Sequence, residues 1–225
     1  MASEPRAHVE TLAHRTQFET AGQQKDASTL GMWIFLVTEI MFFGGMFAMY
    51  TVYRRMYPDV FAIASSSLNA VLGAVNTGVL LLSSFTMVMA VRAGQLGQRR
   101  MIVIFLILTL FFGGVFLGVK AFEWKEKFEE HHIPGQAGFH LDGTTQQGHA
   151  QLFFSLYFAM TGLHALHMVI GVGILLTLIL QARKGRFSAE YYTPIDVAGL
   201  YWHFVDVIWI FLFPLLYLID RHLGK

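Results

Sequence analysis

The sequence of 225 residues contains no cysteine. Disulfide bonds, iron–sulfur clusters held by cysteine, and copper or zinc bound through thiolates are therefore excluded on this chain. The sequence also lacks a phosphate-binding glycine loop, a nucleophile elbow and the helix motif of zinc proteases. We therefore assign no catalytic residue and no metal ligand to this chain.

Charged residues are scarce, at 14% of the chain, whereas 55% of the residues are hydrophobic. The charges cluster between long apolar runs, a pattern typical of membrane proteins. A net charge of +1 argues against a nucleic-acid partner, which would call for a strongly basic surface. Residues 1–30 are polar and lack the apolar core of a signal peptide, so we expect a retained cytoplasmic arm.

Five apolar segments are each long enough to cross a bilayer as a helix. They comprise residues 32–53, 68–91, 101–122, 150–180 and 197–219. The predicted fold is all-α: a polytopic membrane protein whose transmembrane domain, residues 31–221, is a five-helix bundle. The charged residues after the third segment are predicted to form a turn outside the membrane. His131 and His132, in the loop that follows, are interpreted as a solvated pair.

Small and polar residues predict how two of these helices pack. The second segment carries them on one face, at Asn69, Gly73, Asn76 and Ser83. The third segment carries a small-xxx-small pair, Gly114 and Gly118, with Gly113 beside it. Such residues allow close approach and hydrogen bonding between helices in a membrane.

Basic residues in the short links predict the orientation of the chain. The second and fourth links share a side with the N-terminal arm, and their basic residues are Arg92, Arg99, Arg100, Arg183, Lys184 and Arg186. The positive-inside rule places that side in the cytoplasm. The expected location is the bacterial inner membrane, with the N-terminus cytoplasmic and the C-terminus periplasmic, although Arg54 and Arg55 oppose this orientation.

Glu39 is an ionisable residue inside the first apolar segment. Charged groups are costly in lipid, so such a residue is a candidate for function. It is either a carboxylate that relays protons or binds an ion, or a neutral structural acid hydrogen-bonded to a neighbouring helix. No second acid lies at helical spacing on the same segment, so a relay would need partners from other helices.

Three histidines and an aspartate lie inside the last two segments. His164 and His167 are three residues apart, as are His203 and Asp206, so each pair shares one helix face. The face with His203 and Asp206 is expected to meet protein rather than acyl chains. The histidines either bind a haem or a metal, or form hydrogen bonds across the bundle to Glu39, Asp206 or backbone carbonyls.

Aromatic and basic residues near the helix ends are candidates for lipid contact. They are Tyr201, Trp202, Arg92, Arg183 and Arg221. Tyrosine and tryptophan favour the membrane interface, and basic side chains pair with lipid phosphates. These residues either bind phospholipids or serve only as anchors at the interface.

Several motifs, taken together, resemble one known family. The final segment reads GLYWHFVDVIWIFLFPLLYL, and the segment before it reads FFSLYFAMTGLHALHMVIGVG. The first segment contains WIFLVTEIMFFGGMFAMY, and the intervening stretches include LNAVLGAVNTGVLLLSS and GVKAFEWKEKF. In order and spacing they resemble cytochrome c oxidase subunit III from about residue 32 to residue 219. Longer members of that family have seven helices, and this chain resembles only the last five.

The resemblance implies a non-catalytic subunit of a respiratory haem-copper oxidase. It implies packing against the catalytic subunit I beside the copper-bearing subunit II, bound phospholipids, and support of proton uptake during oxygen reduction. By position, Glu39 matches the family's intramembrane glutamate, and His164, His167, His203 and Asp206 match its polar bundle residues. No cofactor is expected on this chain, and haems and copper are expected on the partner subunits.

Alternatives remain open on the sequence. A quinol oxidase subunit III and a nitric oxide reductase accessory protein belong to the same family, and a larger respiratory supercomplex is a further candidate partner. A haem b electron carrier would use His164 or His167 together with His203. An ion or proton transporter would be built around Glu39.

Overall fold

The computed structural model describes residues 18, 20–130, 132–135 and 139–218. This part of the chain forms six helices: α1, Ala21–Met56; α2, Pro58–Ser66; α3, Ala70–Gln95; α4, Arg99–Glu129; α5, Gln147–Arg183; and α6, Thr193–Tyr217. All of these except α2 are long and apolar enough to cross a membrane. The predicted fold class, an all-α bundle with five transmembrane helices, is confirmed.

Helix α1 begins at Ala21, inside the segment that we interpreted as a polar arm. The Thr20 side chain caps it by accepting a hydrogen bond of 3.1 Å from the Gln23 backbone N–H. This cap and the good helix formers that follow, such as Gln24 and Lys25, extend the helix beyond its apolar part. Polarity therefore marks where the apolar stretch of α1 starts, but not where the helix starts.

Helix α2 lies where we expected only a short polar link. Pro58 occupies its first position, which suits a residue without a backbone N–H, and one face of the helix buries Phe61 and Ala64. The Ser65 hydroxyl donates to the Leu216 carbonyl at 2.7 Å, and the Tyr50 hydroxyl donates to the Leu215 carbonyl at 2.8 Å. These bonds satisfy carbonyls in the last turn of α6, where no intrahelical partner is available.

The α3–α4 contact is held by the polar stripe predicted on α3. The Ser83 hydroxyl donates to the Thr109 carbonyl at 3.1 Å, and the Asn76 amide donates to the Phe116 carbonyl at 3.4 Å. The hydroxyls of Thr86 and Thr109 lie 2.8 Å apart. The prediction that this stripe packs on another helix is confirmed for Asn76 and Ser83, and for Gly73, which lies against Phe213 of α6. It was wrong for Asn69, which is exposed and caps the start of α3.

The glycine pair predicted on α4 lies on a face that no other helix of the described chain covers. A Cβ built on Gly114 or Gly118 would meet nothing within 4 Å among the described residues. The neighbouring Gly113 makes a close helix contact, because the Trp202 indole lies 2.8 Å from where its Cβ would be. On the opposite side of the same indole, a Cβ built on Gly171 would lie only 2.9 Å from the ring. The packing motif is thus a tryptophan held between two glycines of α4 and α5.

The prediction of a solvated charged turn after the third apolar segment was also wrong. Helix α4 continues to Glu129, and the side chains of Lys120, Glu123 and Lys127 are buried. Their spacing of three and four residues places them on one helix face, which packs against the bundle. Charge density alone suggested a turn, whereas the helical spacing of these charges indicates a buried face.

The loop between α4 and α5 is tied to the bundle. The Gln147 side chain bonds to the backbone of Leu141 twice, at 2.9 Å each. His132 stacks on Phe154 with ring centroids 5.0 Å apart, and its Nδ1 lies 3.0 Å from a Glu130 carboxylate oxygen. The interpretation of His132 as solvated is therefore wrong, because an aromatic neighbour covers its ring. His131 lies outside the described residues.

Candidate functional site: polar groups inside the bundle

Glu39 and His167 meet across the α1–α5 contact. The Nε2 atom of His167 lies 3.3 Å from a carboxylate oxygen of Glu39, and the two side chains are 12% and 19% exposed. The other ring nitrogen of His167, Nδ1, lies 2.8 Å from the Leu163 carbonyl one turn back. The structure thus brings together two of the predicted residues, near the middle of α1.

The partners of His167 indicate where its ring hydrogen lies. A carbonyl oxygen can only accept, so Nδ1 carries a hydrogen, and Nε2 faces the Glu39 carboxyl. One proton shared between Nε2 and the carboxyl makes the pair neutral overall, as either an acid with imidazole or a carboxylate with imidazolium. Moving that proton between the two atoms changes no net charge, which suits a region where isolated charges are costly.

His164 lies one turn before His167 but in a different environment. It is 1% exposed, and neither ring nitrogen has a hydrogen-bond partner in the described part of the chain. Its ring packs against Phe116 at 5.5 Å and Trp209 at 5.1 Å between centroids. None of these ring contacts involves His203.

His203 and Asp206 share a face of α6, as predicted, and that face meets α3. The Ser84 hydroxyl lies 2.7 Å from Nδ1 of His203. Asp206 is 2% exposed, and neither of its carboxyl oxygens has a hydrogen bond of normal geometry within the described residues. The expectation that Asp206 faces protein is confirmed, while His203 remains partly exposed.

The most extensive polar cluster was not among the predicted site residues. The Lys120 ammonium lies 3.0 Å from the Glu123 carboxylate and donates to the Tyr217 hydroxyl at 2.8 Å. Tyr157 donates to Glu123 at 2.8 Å, and the Tyr217 hydroxyl bonds to the same carboxylate oxygen. Lys120 also lies 4.8 Å from the ring centroid of Trp209. The cluster joins α4, α5 and α6 around one buried ion pair.

The structure separates the candidates for lipid contact. Tyr201 and Trp202 are buried, with the Tyr201 hydroxyl bonded to the His167 carbonyl at 2.9 Å and the Trp202 indole N–H bonded to Ser83 at 3.1 Å. Their engagement inside the bundle contradicts a role at lipid headgroups. Arg92 and Arg183 are exposed, as a lipid contact would need. Arg221 lies outside the described residues.

Across the described residues, no group of three or more histidine or acidic side chains is arranged to hold a metal ion. The pairs that do form, such as Glu39 with His167, join one carboxylate to one imidazole. Structural metal sites generally need four ligands, and catalytic zinc sites need three from the protein.

Comparison with known proteins supplies the family. A family model described as cytochrome c oxidase subunit III matches residues 16–220. The chain belongs to the cytochrome c oxidase subunit III family. The resemblance drawn from the sequence motifs is therefore confirmed, and with it the role of a subunit III in a haem-copper oxidase.

Individual relatives extend this finding. Cytochrome c oxidase subunit 3 of Thermostichus vulcanus is 31% identical over 218 residues, which cover 95% of this chain and 98% of the relative. Quinol oxidase subunit 3 of Bacillus spizizenii is 31% identical over 212 residues, 94% of this chain and 96% of the relative. Cytochrome c oxidase subunit 3 of Synechocystis is 32% identical over 196 residues, which cover 86% of this chain and 76% of the relative. The first two relatives share the short length of this chain.

Proposed function

We propose that this subunit III stabilises the catalytic subunit of an oxygen-reducing, proton-translocating oxidase and supports its proton uptake, while carrying no redox centre itself. The haems and copper belong to the catalytic subunit I and the copper-bearing subunit II. Phospholipids bind at its surface, where Arg92 and Arg183 are exposed. The subunit lies in the bacterial inner membrane with its N-terminus in the cytoplasm, as the basic links indicate.

The Glu39–His167 pair is the observation that carries this proposal. It lies at mid-span, it is partly exposed, and its carboxyl and imidazole face each other so that they can share one proton without net charge. A proton can therefore reside on the pair, or move across it, without the cost of an isolated charge in the bilayer. The carboxyl faces an imidazole, which is a base that can accept its proton.

The proton-uptake role is tested by Glu39→Gln in the assembled oxidase. Glutamine keeps the size of the side chain and its hydrogen bonding but cannot hold the shared proton. We expect normal haem content, with proton pumping or turnover lifetime before inactivation reduced. The neighbouring Thr38→Val is the matched control, because the Thr38 hydroxyl is exposed and bonds only to its own helix at the Phe35 carbonyl. Equal lifetimes and pumping in Glu39→Gln and the unsubstituted oxidase would make Glu39 a structural residue.

Cytochrome c is the proposed electron donor of the complex, and quinol is the second candidate. The relatives from Thermostichus vulcanus and Bacillus spizizenii are equally similar to this chain, and their names differ in the donor. The donor is recognised by another subunit, so the sequence of the copurifying subunit II separates the two. A pair of copper-binding cysteines in that subunit would indicate cytochrome c, and their absence would indicate quinol.

A further inference from the structure

We propose that a seam between α3 and α6 is the surface on which a transmembrane helix of the catalytic subunit docks, with a hydroxyl or amide side chain of that helix bonded to His203. The inference rests on the proposed function, because it takes the occupant from the oxidase complex. The seam consists of six residues: Leu81, Ser84, Val88, His203, Val207 and Ile210.

Helical spacing and one hydrogen bond define the seam. Leu81, Ser84 and Val88 follow one another at intervals of three and four residues on α3, so they share a face. His203, Val207 and Ile210 do the same on α6. The contact of 2.7 Å between Ser84 and His203 brings the two faces together. The four aliphatic side chains are 41% to 50% exposed, so the described chain leaves the seam uncovered.

His203 distinguishes this seam from a lipid-facing surface. Only its Nδ1 has a hydrogen-bond partner among the described residues, and its ring is partly exposed near the middle of α6. An acyl chain offers nothing to Nε2, and a polar group left unbonded in hydrocarbon is costly. The seam therefore fits a protein surface with a matching polar group.

The other exposed faces of the bundle lack this property. Exposed hydroxyls within the spans bond back to their own helices, as Thr51 does to the Phe47 carbonyl and Thr177 to the Ile174 carbonyl. The outer face of α5 presents apolar side chains at Leu166, Val169 and Leu176. The apolar side chains of those faces suit contact with acyl chains. His167, the other partly exposed histidine at mid-span, has both of its ring nitrogens engaged.

The occupant follows from the chemistry of the seam. With Nδ1 engaged by Ser84, the free nitrogen of His203 needs one hydrogen-bonding partner, and hydroxyl and amide side chains provide it without bringing a charge into the membrane. The surrounding aliphatic side chains match an apolar helix surface. A transmembrane helix with one such polar side chain therefore fits better than a lipid headgroup, which lies at the wrong depth.

The test places a photo-crosslinking amino acid at Val207 in the seam and, in a second variant, at Val169 on α5. The complex is purified through a tag on this chain and illuminated. We expect the Val207 probe to crosslink to the haem-bearing subunit and the Val169 probe to crosslink to lipid. An intact complex in which the Val207 probe reaches only lipid, or only a second copy of this chain, would overturn the docking surface and leave the proposed function standing. Failure of any haem-bearing subunit to copurify would overturn both.

Two pairs of substitutions measure the same contact independently. Val207→Trp should lower the amount of this chain retained on the haem-bearing subunit after a detergent wash by about tenfold, while Val169→Trp should leave it unchanged. His203→Phe should also lower retention, and His203→Gln, which keeps a hydrogen-bonding side chain, should restore most of it. Thermal unfolding of each isolated variant distinguishes lost docking from lost folding. Equal retention in Val207→Trp and Val169→Trp would overturn the inference.

Discussion

Removing one partner of the buried ion pair between Lys120 and Glu123 should destabilise the bundle strongly. The two side chains are 5% and 3% exposed. Glu123→Leu would leave the Lys120 ammonium buried without its counter-charge, a change that typically costs 3–5 kcal/mol of unfolding free energy. The hydroxyl of Tyr217 and the Trp209 ring at 4.8 Å would remain to solvate the cation. A cation–π contact is worth about 0.5–2 kcal/mol, so we expect a cost near the lower limit, about 3 kcal/mol.

A double-mutant cycle makes this reasoning testable. Lys120→Met should cost a similar amount, because it leaves a buried carboxylate with only the two tyrosine hydroxyls as donors. The double substitution Lys120→Met with Glu123→Leu removes both charges and should cost about 1 kcal/mol or less, since hydrophobic replacement of a buried pair is often neutral. The cost of the double variant should therefore fall about 3 kcal/mol or more below the sum of the single costs.

The matched control lies on the same helix. Lys125 and Glu129 form an ion pair at 3.7 Å whose side chains are 72% and 70% exposed. Lys125→Met should change stability by at most about 0.5 kcal/mol. The assay is denaturant unfolding in detergent micelles followed by tryptophan fluorescence, for which Trp209 beside Lys120 is a local reporter. Additive costs in the cycle, or a Glu123→Leu cost no larger than that of the control, would refute the account of the cluster.

Three further predictions concern packing, hydrogen bonding and pH. Gly113→Ala and Gly171→Ala should each lower the free energy of unfolding by about 1–3 kcal/mol, because the added Cβ would lie under 3.0 Å from the Trp202 indole. Gly114→Ala should leave the free energy of unfolding unchanged, and thermal unfolding midpoints compare the three variants. Thr77→Val should cost about 1 kcal/mol, because it removes the 3.0 Å bond from the Trp209 indole N–H, and an unchanged midpoint would contradict this. Burial lowers the pKa of His132; the positive charge of Lys127 lowers it further, and the negative charge of Glu130 partly offsets the shift. The folded state therefore binds this proton more weakly than the unfolded state, whose pKa is about 6.5, and stability should fall as pH drops below that value. His132→Gln should remove that part of the pH dependence, and an unchanged dependence of stability on pH in this variant would contradict the account.

The sequence predicted the helices well where an apolar run had to cross the membrane, because length and hydropathy are set by the bilayer itself. It failed where polar residues continue a helix. Lys120 and Glu123 were predicted to lie in a turn outside the membrane because they are charged, yet each supplies the other's counter-charge. Their buried state depends on Tyr157 and Tyr217, which come from distant parts of the sequence. The regular spacing from Lys120 through Glu123 to Lys127 was the available signal.

The sequence predicted which residues belong to the candidate site, but not which of them contact each other. Spacing identified Glu39, His167, His203 and Asp206 as ionisable residues inside the spans. It could not show that Glu39 meets His167 rather than His164, because those histidines differ by one helical turn and only packing decides which faces α1. Trp202 resembled an interface anchor by residue type, and its burial between Gly113 and Gly171 depends on three helices meeting. Residue type thus indicates which side chains are energetically costly to bury in the membrane, while tertiary contacts decide how that free-energy cost is offset.

The central claim is that this chain is a redox-silent subunit that acts through a haem-bearing partner. The most direct measurement is the optical spectrum of the complex purified through a tag on this chain, compared with the spectrum of the chain after it is separated from its partners. The account predicts a haem absorption band in the complex, carried by a larger subunit, and none on the separated chain. A haem band that stays with the separated chain and is lost in His203→Ala would contradict it.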